Sequence, residues 1–274
     1  MILGAADGLT SKEVAMTTGN RKTHDFCWIN LMTPAGERAK GFFGKLFGWT
    51  YGEMPGVPGG HLIEVGGKAA GALMDLDVVK MPPTPPVIGV MIKVESADAT
   101  VAKIAQLGGR AEPAFDVLTN GRMAMCTDPN GAIFALWQPT SKLGIEADSH
   151  AYGAPTWFET LTTDVGRAVK FYRELFGWTV EEQQPMPGMT YTLFKLGSVP
   201  IAGAMAILPQ MKMGDVPPHW ATSFAVKNAD DTARLAAELG AAVCVPVSEI
   251  PNVGRFAMFK SPQGVPFSVL EYKT

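Results

Sequence analysis

Histidines, cysteines, carboxylates and arginines are the side chains here with chemistry to offer, and their spacing decides what they can do together. The four histidines are His24, His61, His150 and His219. His61 has Glu64 three residues on. In a strand of period two those side chains point to opposite faces and cannot share one ion. His24 and His150 lie in loop-like stretches, which places them at the surface, and His219 follows Pro218 at the start of a strand. The cysteines Cys27, Cys126 and Cys244 are widely spaced and contain no CxxC pair, so they read as reduced thiols packed as small apolar groups. Gly121-Arg122 and Gly254-Arg255 each begin a strand. Two readings stand for those arginines: contacts to an anionic ligand, or solvated charges at a sheet edge.

The elements that would position these groups occur twice. Phe42-Phe43-Gly44-Lys45-Leu46-Phe47-Gly48-Trp49 is answered by Phe171-Tyr172-Arg173-Glu174-Leu175-Phe176-Gly177-Trp178. Gly121-Arg122-Met123-Ala124-Met125 is answered by Gly254-Arg255-Phe256-Ala257-Met258. The offset drifts only from 129 at Trp49 and Trp178 to 133 at Met125 and Met258, so a domain is duplicated and its insertions fall in loops. Residues 23–140 and 154–274 form the two domains, with a tail at 1–22 and a linker at 141–153. Each domain reads as two strand–helix–three-strand units. Strand 26–32 leads into a helix over 36–47, whose apolar residues recur at three- and four-residue spacing and which stops at Gly48. Strands follow near 60–66 and 69–76. After the proline-rich link 81–86 come strand 87–95, helix 98–107 and strands near 110–116, 121–127 and 132–138. The second half repeats the order: strand 156–162, helix 165–176, strands to about 207, linker 208–218, strand 219–227, helix 230–239 and strands to 272. The fold class is α+β.

Composition removes several functions. A 47% hydrophobic, 18% charged chain can fill two cores, and a net charge of −3 without any basic run argues against a nucleic-acid surface. Gly8–Ala15 resembles the opening of a DNA-binding helix-turn-helix, but no recognition helix follows, and a loosely packed tail is expected. No run of eighteen apolar residues exists to span a membrane, and Asp7, Lys12 and Glu13 interrupt any signal-peptide core. A soluble cytoplasmic protein is expected.

The strand followed by Asp164-Val165-Gly166-Arg167-Ala168-Val169-Lys170-Phe171-Tyr172, with Leu175-Phe176-Gly177-Trp178, resembles the vicinal oxygen chelate superfamily of glyoxalases, bleomycin-resistance proteins and extradiol dioxygenases. So do the closing turns Asp128-Pro129-Asn130-Gly131 and Ser261-Pro262-Gln263-Gly264. The resemblance covers roughly residues 24–273 and looks most like two-domain glyoxalase-like proteins. It implies tandem glyoxalase-like domains, each of paired βαβββ units forming a curved, barrel-like sheet around a cleft. It also implies divalent-metal chemistry, with ligands where this chain has Trp28 and Trp157, Gly89 and Ala221, and Ala135 and Ser268. None of these is a good donor. No metal and no other cofactor is therefore expected.

With those slots facing inward, period two brings Asn30 and Met32 inward beside Trp28, and Glu159 and Leu161 beside Trp157. The closing strands add Ile133, Ala135 and Trp137 in the first domain and Pro266, Ser268 and Leu270 in the second. Such a surface suits a small, partly planar organic molecule held by Trp28, Asn30, Met32, Trp137, Trp157, Leu161 and Ser268, with Arg122 and Arg255 in reach. The other reading is that the tryptophans fill a closed core. Glu159 is the one candidate for acid–base catalysis, unless Arg167 or Arg255 makes it an ordinary ion pair. The expected function is small-molecule binding without a metal. The alternative is a glyoxalase-like lyase or isomerase acting on small carbonyl compounds. Duplication within one chain makes a monomer plausible, as pairing of two chains makes a homodimer.

Overall fold

The computed structural model describes residues 21–79, 83–141, 144–186, 189–207 and 216–273. The tail with its Gly8–Ala15 stretch lies outside them, as do parts of the links at 81–86, 141–153 and 208–218. The first half runs β1 (Phe26–Thr33), α1 (Gly36–Phe47), β2 (Thr50–Glu53), β3 (Gly60–Val65), β4 (Lys68–Asp75), β5 (Val87–Lys93), α2 (Ala97–Gln106), β6 (Arg110–Ala111), β7 (Phe115–Val117), β8 (Gly121–Thr127) and β9 (Ile133–Pro139). The second runs β10 (Pro155–Thr162), α3 (Val165–Phe176), β11 (Thr179–Met186), β12 (Met189–Leu196), β13 (Val199–Ala206), β14 (His219–Ala225), α4 (Ala229–Glu238), β15 (Ala242–Ile250), β16 (Gly254–Lys260) and β17 (Pro266–Tyr272).

Each half folds into one half-barrel sheet. The orders are β2-β3-β4-β1-β5-β9-β8-β6, with β7 also on β8, and β11-β12-β13-β10-β14-β17-β16-β15. The opening strands of the two units lie side by side and antiparallel, β1 on β5 and β10 on β14. Four βαβββ units are therefore present, as expected. The strand expected near 110–116 is split around Pro113, which cannot donate to a ladder. Its counterpart Pro246 sits at an irregularity in β15, and both occupy edge strands, where proline is tolerated.

Local chemistry explains the helices. Ser96, Asp164 and Asn228 each accept the N–H three residues on and cap α2, α3 and α4. The N-cap of α1 is Ala35, which has no such oxygen. Asp75 and Asp77 supply it instead, accepting the N–H groups of Gly36 (3.0 Å) and Ala35 (2.8 Å). Gly48 (φ 69°) and Gly177 (φ 71°) end α1 and α3 in the left-handed region.

The two cores expected from composition are joined. Phe43 and Phe47 of α1 pack on Phe267 of the other sheet, with ring centres 5.5 and 5.8 Å apart. Tyr172 and Phe176 of α3 pack on Phe134 at 5.7 and 6.2 Å, and Phe26 stacks on Phe158 at 4.3 Å. The helix-bearing faces of both sheets thus bury each other in one continuous cluster, and the opposite faces carry smaller, separate clusters. Among the described residues no helix is long and apolar enough to cross a membrane.

Two hydroxyls in this arrangement, Thr160 Oγ1 and Thr222 Oγ1, are buried without a hydrogen-bond partner among the described residues. Thr222→Val keeps the β-branch and removes the unpaired group. It should stabilise the fold by about 1 kcal/mol and raise the melting temperature by roughly 3 °C in thermal unfolding.

Candidate functional site

The face of each sheet turned away from the helices is the candidate site. In the first half Ile29 and Leu31 enter the shared core, so Trp28, Asn30 and Met32 face the concavity. Strand register extends that surface in rows. Trp28 pairs with Met91, Met91 with Ala135 and Ala135 with Met125; Met32 pairs with Met74; Trp137 pairs with Met123. The lining is two indoles among methionines, whose thioethers are polarisable and adapt to flat ligands. Gly121 makes room for it, since a Cβ there would stand 2.8 Å from the Trp137 ring. A Cβ on Gly56 would lie 3.6 Å from Leu118, so the β2–β3 and β7–β8 loops meet from opposite ends of the sheet. The amide of Asn30 has no partner among the described residues and stands as an isolated polar group in this apolar wall.

The second concavity has the same rows and different chemistry. Trp157 pairs with Ser223, Ser223 with Ser268 and Ser268 with Met258. Leu161 pairs with Met205 and Met205 with Tyr191. The indole Nε1–H of Trp157 donates to the Tyr191 hydroxyl (2.9 Å), which donates in turn to Glu159 Oε1 (2.7 Å). Glu159 is sunk in the wall with part of its surface still open to the concavity. Burial pushes its carboxyl up to about 7, against the opposing hydrogen bond from Tyr191. Burial and the adjacent carboxylate hold the Tyr191 phenol well above its usual range, so it stays protonated and acts as the donor. Chemically, this wall accepts or releases a proton near neutrality.

A family described as bleomycin resistance protein-like N-terminal matches residues 155–197. CFP32 of Mycobacterium tuberculosis, provisionally named a glyoxylase, is 36% identical over 249 residues, covering 89% of this chain and 93% of the relative. The chain belongs to the vicinal oxygen chelate superfamily. The anthracycline biosynthesis protein DnrV of Streptomyces peucetius is 32% identical over 260 residues, 90% of this chain and 92% of that one. Among solved structures, a Mn(II)-bound glyoxalase from Novosphingobium aromaticivorans superposes with a TM-score of 0.61 at 16% identity, covering 91% of this chain and 82% of that one. A 2,2',3-trihydroxybiphenyl 1,2-dioxygenase from Sphingomonas wittichii gives 0.63 at 12%, covering 91% of each. At these identities the superpositions establish the fold.

The residues that this vicinal oxygen chelate chain places at the implied metal positions do not fit a metal. Trp28 and Ala135 flank Met91 across the sheet, and Trp157 and Ser268 flank Ser223. The middle positions are thus Met91 and Ser223, two residues beyond the expected Gly89 and Ala221, which pair with Asn30 and Glu159 instead. Neither set offers imidazole or carboxylate, and among the described residues no group of three or more His, Cys, Asp or Glu is placed to hold an ion. The histidines are apart. His24 packs on Phe176, His150 on Tyr272, and His219 Nδ1 lies 2.9 Å from the Pro217 carbonyl. His24 and His150 are half-buried rather than at the surface, because aromatic rings cover them. Cys27 and Cys126 are buried as expected, whereas Cys244 is exposed on the edge strand β15.

Other expectations need correction. Arg122 donates to Asp116 and Asp98, and Arg255 to Asp230. Asp98 and Asp230 lie in α2 and α4, so both arginines belong to the helix face. Their neighbours Met123 and Phe256 line the concavities. Arg167 starts α3, also on the helix face, so the partner of Glu159 is Tyr191 and not an arginine. Trp28, Asn30, Met32 and Trp137 come together in the first concavity, and Trp157, Glu159, Leu161 and Ser268 in the second. Sequence reasoning missed Tyr191. No local signal pointed to it, and the strand registers place Gly60 at the matching position of the first half.

Proposed function

We propose that this protein binds a small hydrophobic or aromatic molecule in its concavities without a metal held by its side chains. The observation that carries this is the lining itself. Indoles, thioethers and small residues stand where metal donors would be needed, with the Asn30 amide in one concavity and the Tyr191–Glu159 pair in the other to orient a ligand. The DnrV-type relatives, named for anthracycline biosynthesis, make a polycyclic aromatic the first probe to try. In this reading it works in the cytoplasm, as a monomer or homodimer. Protein purified without a chelating resin should contain far less than one metal ion per chain by elemental mass spectrometry. An anthraquinone should quench tryptophan fluorescence saturably, in the presence of a chelator as in its absence. A stoichiometric metal whose removal abolishes binding would overturn the reading.

The alternative is a lyase or isomerase acting on a small carbonyl compound, and it is favoured by one feature. A carboxyl near neutrality, fixed through one oxygen, is suited to taking a proton alpha to a carbonyl. Glu159→Gln would then abolish turnover, and unchanged rates would remove Glu159 as the base.

A further inference from the structure

The two concavities differ at three positions that touch one another. In register, Glu159 lies beside Gly203, whose neighbour along β13, Met205, pairs with Tyr191. In the first half Asn30 lies beside Ala72, and Met74 pairs with Gly60. Tyr191, Gly203 and Glu159 therefore stand where Gly60, Ala72 and Asn30 stand. The exchange is mechanically linked, because a Cβ on residue 203 would come within 2.0 Å of the Tyr191 hydroxyl. Only glycine lets the phenol lie across β13 and reach β10. Once there it takes a proton donor from Trp157 and gives its own to one oxygen of Glu159. The other oxygen, Oε2, has no partner among the described residues. The wall around it is Leu161, Leu193, Met205 and Ala221, with His219 beside Leu161 and Glu181 held by Lys195 further out on β11.

We propose that the second concavity is a site of its own kind, selecting an aromatic ligand that bears a hydroxyl: Tyr191 holds Glu159 by Oε1, and Oε2 accepts the ligand's O–H. Tyr191 is then a positioning residue, and the first concavity, with a neutral amide and no phenol, lacks this preference. The inference rests on the reading that the concavities take aromatic molecules, and the experiment separates the two. The full-length protein, labelled with 13C-methyl methionine, is titrated at pH 8 with 2-naphthol and with 2-methoxynaphthalene, which lacks the donor. The naphthol should bind at least tenfold more tightly and shift Met205 and Met258 of the second concavity. In Glu159→Gln the preference should fall to within about threefold. In Tyr191→Phe the titration of Glu159, followed in a second sample labelled with 13C-glutamate, should move upward, because a donor to the carboxylate is lost, and the naphthol preference should shrink. Equal binding of the two probes, a preference unchanged in Glu159→Gln, or shifts confined to Met91 and Met125 would overturn the inference and leave general aromatic binding intact. Failure of both probes to bind at all would sink the binding reading along with it. If Glu159→Gln does not fold, Tyr191→Phe alone decides, and an unmoved Glu159 titration overturns the positioning role.

Discussion

Glu159→Gln should make the protein more stable at pH 8 by about 3 kcal/mol while leaving its stability at pH 4 nearly unchanged. The carboxyl titrates near 4.5 in the unfolded chain and is raised to about 7 in the fold, chiefly by burial. Between those values the folded state holds a proton that the unfolded state has released. Raising the pH through this window therefore favours unfolding, and above 7 the full penalty is present. A difference of two to three units is about 3 kcal/mol, since one unit is about 1.4 kcal/mol. Glutamine fits the same space and its carbonyl still accepts from Tyr191, so the variant loses the charge and keeps the hydrogen bond. Urea unfolding of both proteins at several values of pH would show two curves that coincide in acid and separate between about 4.5 and 7. Parallel curves would mean that Glu159 is solvated and has no special proton affinity. A wild-type protein that carries such a penalty bears a cost in stability that a purely structural residue at this position would not need, which is what a group kept for binding or catalysis entails.

Much of this was readable in the chain because the duplication checked every local assignment against a second copy. The helices expected over 36–47 and 165–176 fall at Gly36–Phe47 and Val165–Phe176, where apolar spacing, caps and terminal glycines agree. The four-residue strand β2 was not legible, because Thr50–Glu53 is too short to show a period and is defined only by its pairing with β3. Arg122 and Arg255 recur in both halves and left two readings open, ligand contacts or edge charges, because recurrence says nothing about which face of a strand a side chain occupies. Counting by twos from Trp137 through its partner Met123 puts both arginines on the other side. Tyr191 was invisible for a different reason. Its meeting with Glu159, 32 residues away, depends on β12 pairing with β13 and β13 running parallel to β10, and neither register is written in local composition. The joined core was equally hidden, since an apolar helix face reads the same whichever sheet covers it.

Tyr172→Phe, the loss of a single oxygen atom, should cost about 3 kcal/mol. Tyr172 is fully buried on α3, and its hydroxyl accepts the indole N–H of Trp220 at 2.8 Å and donates to Asp128 Oδ2 at 3.1 Å. Asp128 belongs to the closing turn of the other half, where its Oδ1 accepts the N–H groups of Asn130, Gly131 and Ala132. The same turn is tied to the second half by Asn130, whose amide donates to Thr162 Oγ1 and the Asp164 carbonyl. Without the hydroxyl, a buried N–H and a buried carboxylate oxygen both lose their partner, at about 1–3 kcal/mol each. The melting temperature should fall by roughly 8 °C. The duplication supplies the control. At the symmetric place the chain has Phe43, Ser261 and Ile88 in place of Tyr172, Asp128 and Trp220, a set without an indole or a carboxylate to satisfy. Ser261 Oγ still accepts the turn N–H groups of Gln263 and Val265. Asp128→Ser in the Tyr172→Phe background should therefore cost less than the two changes summed, with a coupling of about 1 kcal/mol or more in a double-mutant cycle. Strict additivity would show that the phenol and the carboxylate do not act as a pair, and that aromatic packing and the Asn130 hydrogen bonds join the two halves at this point.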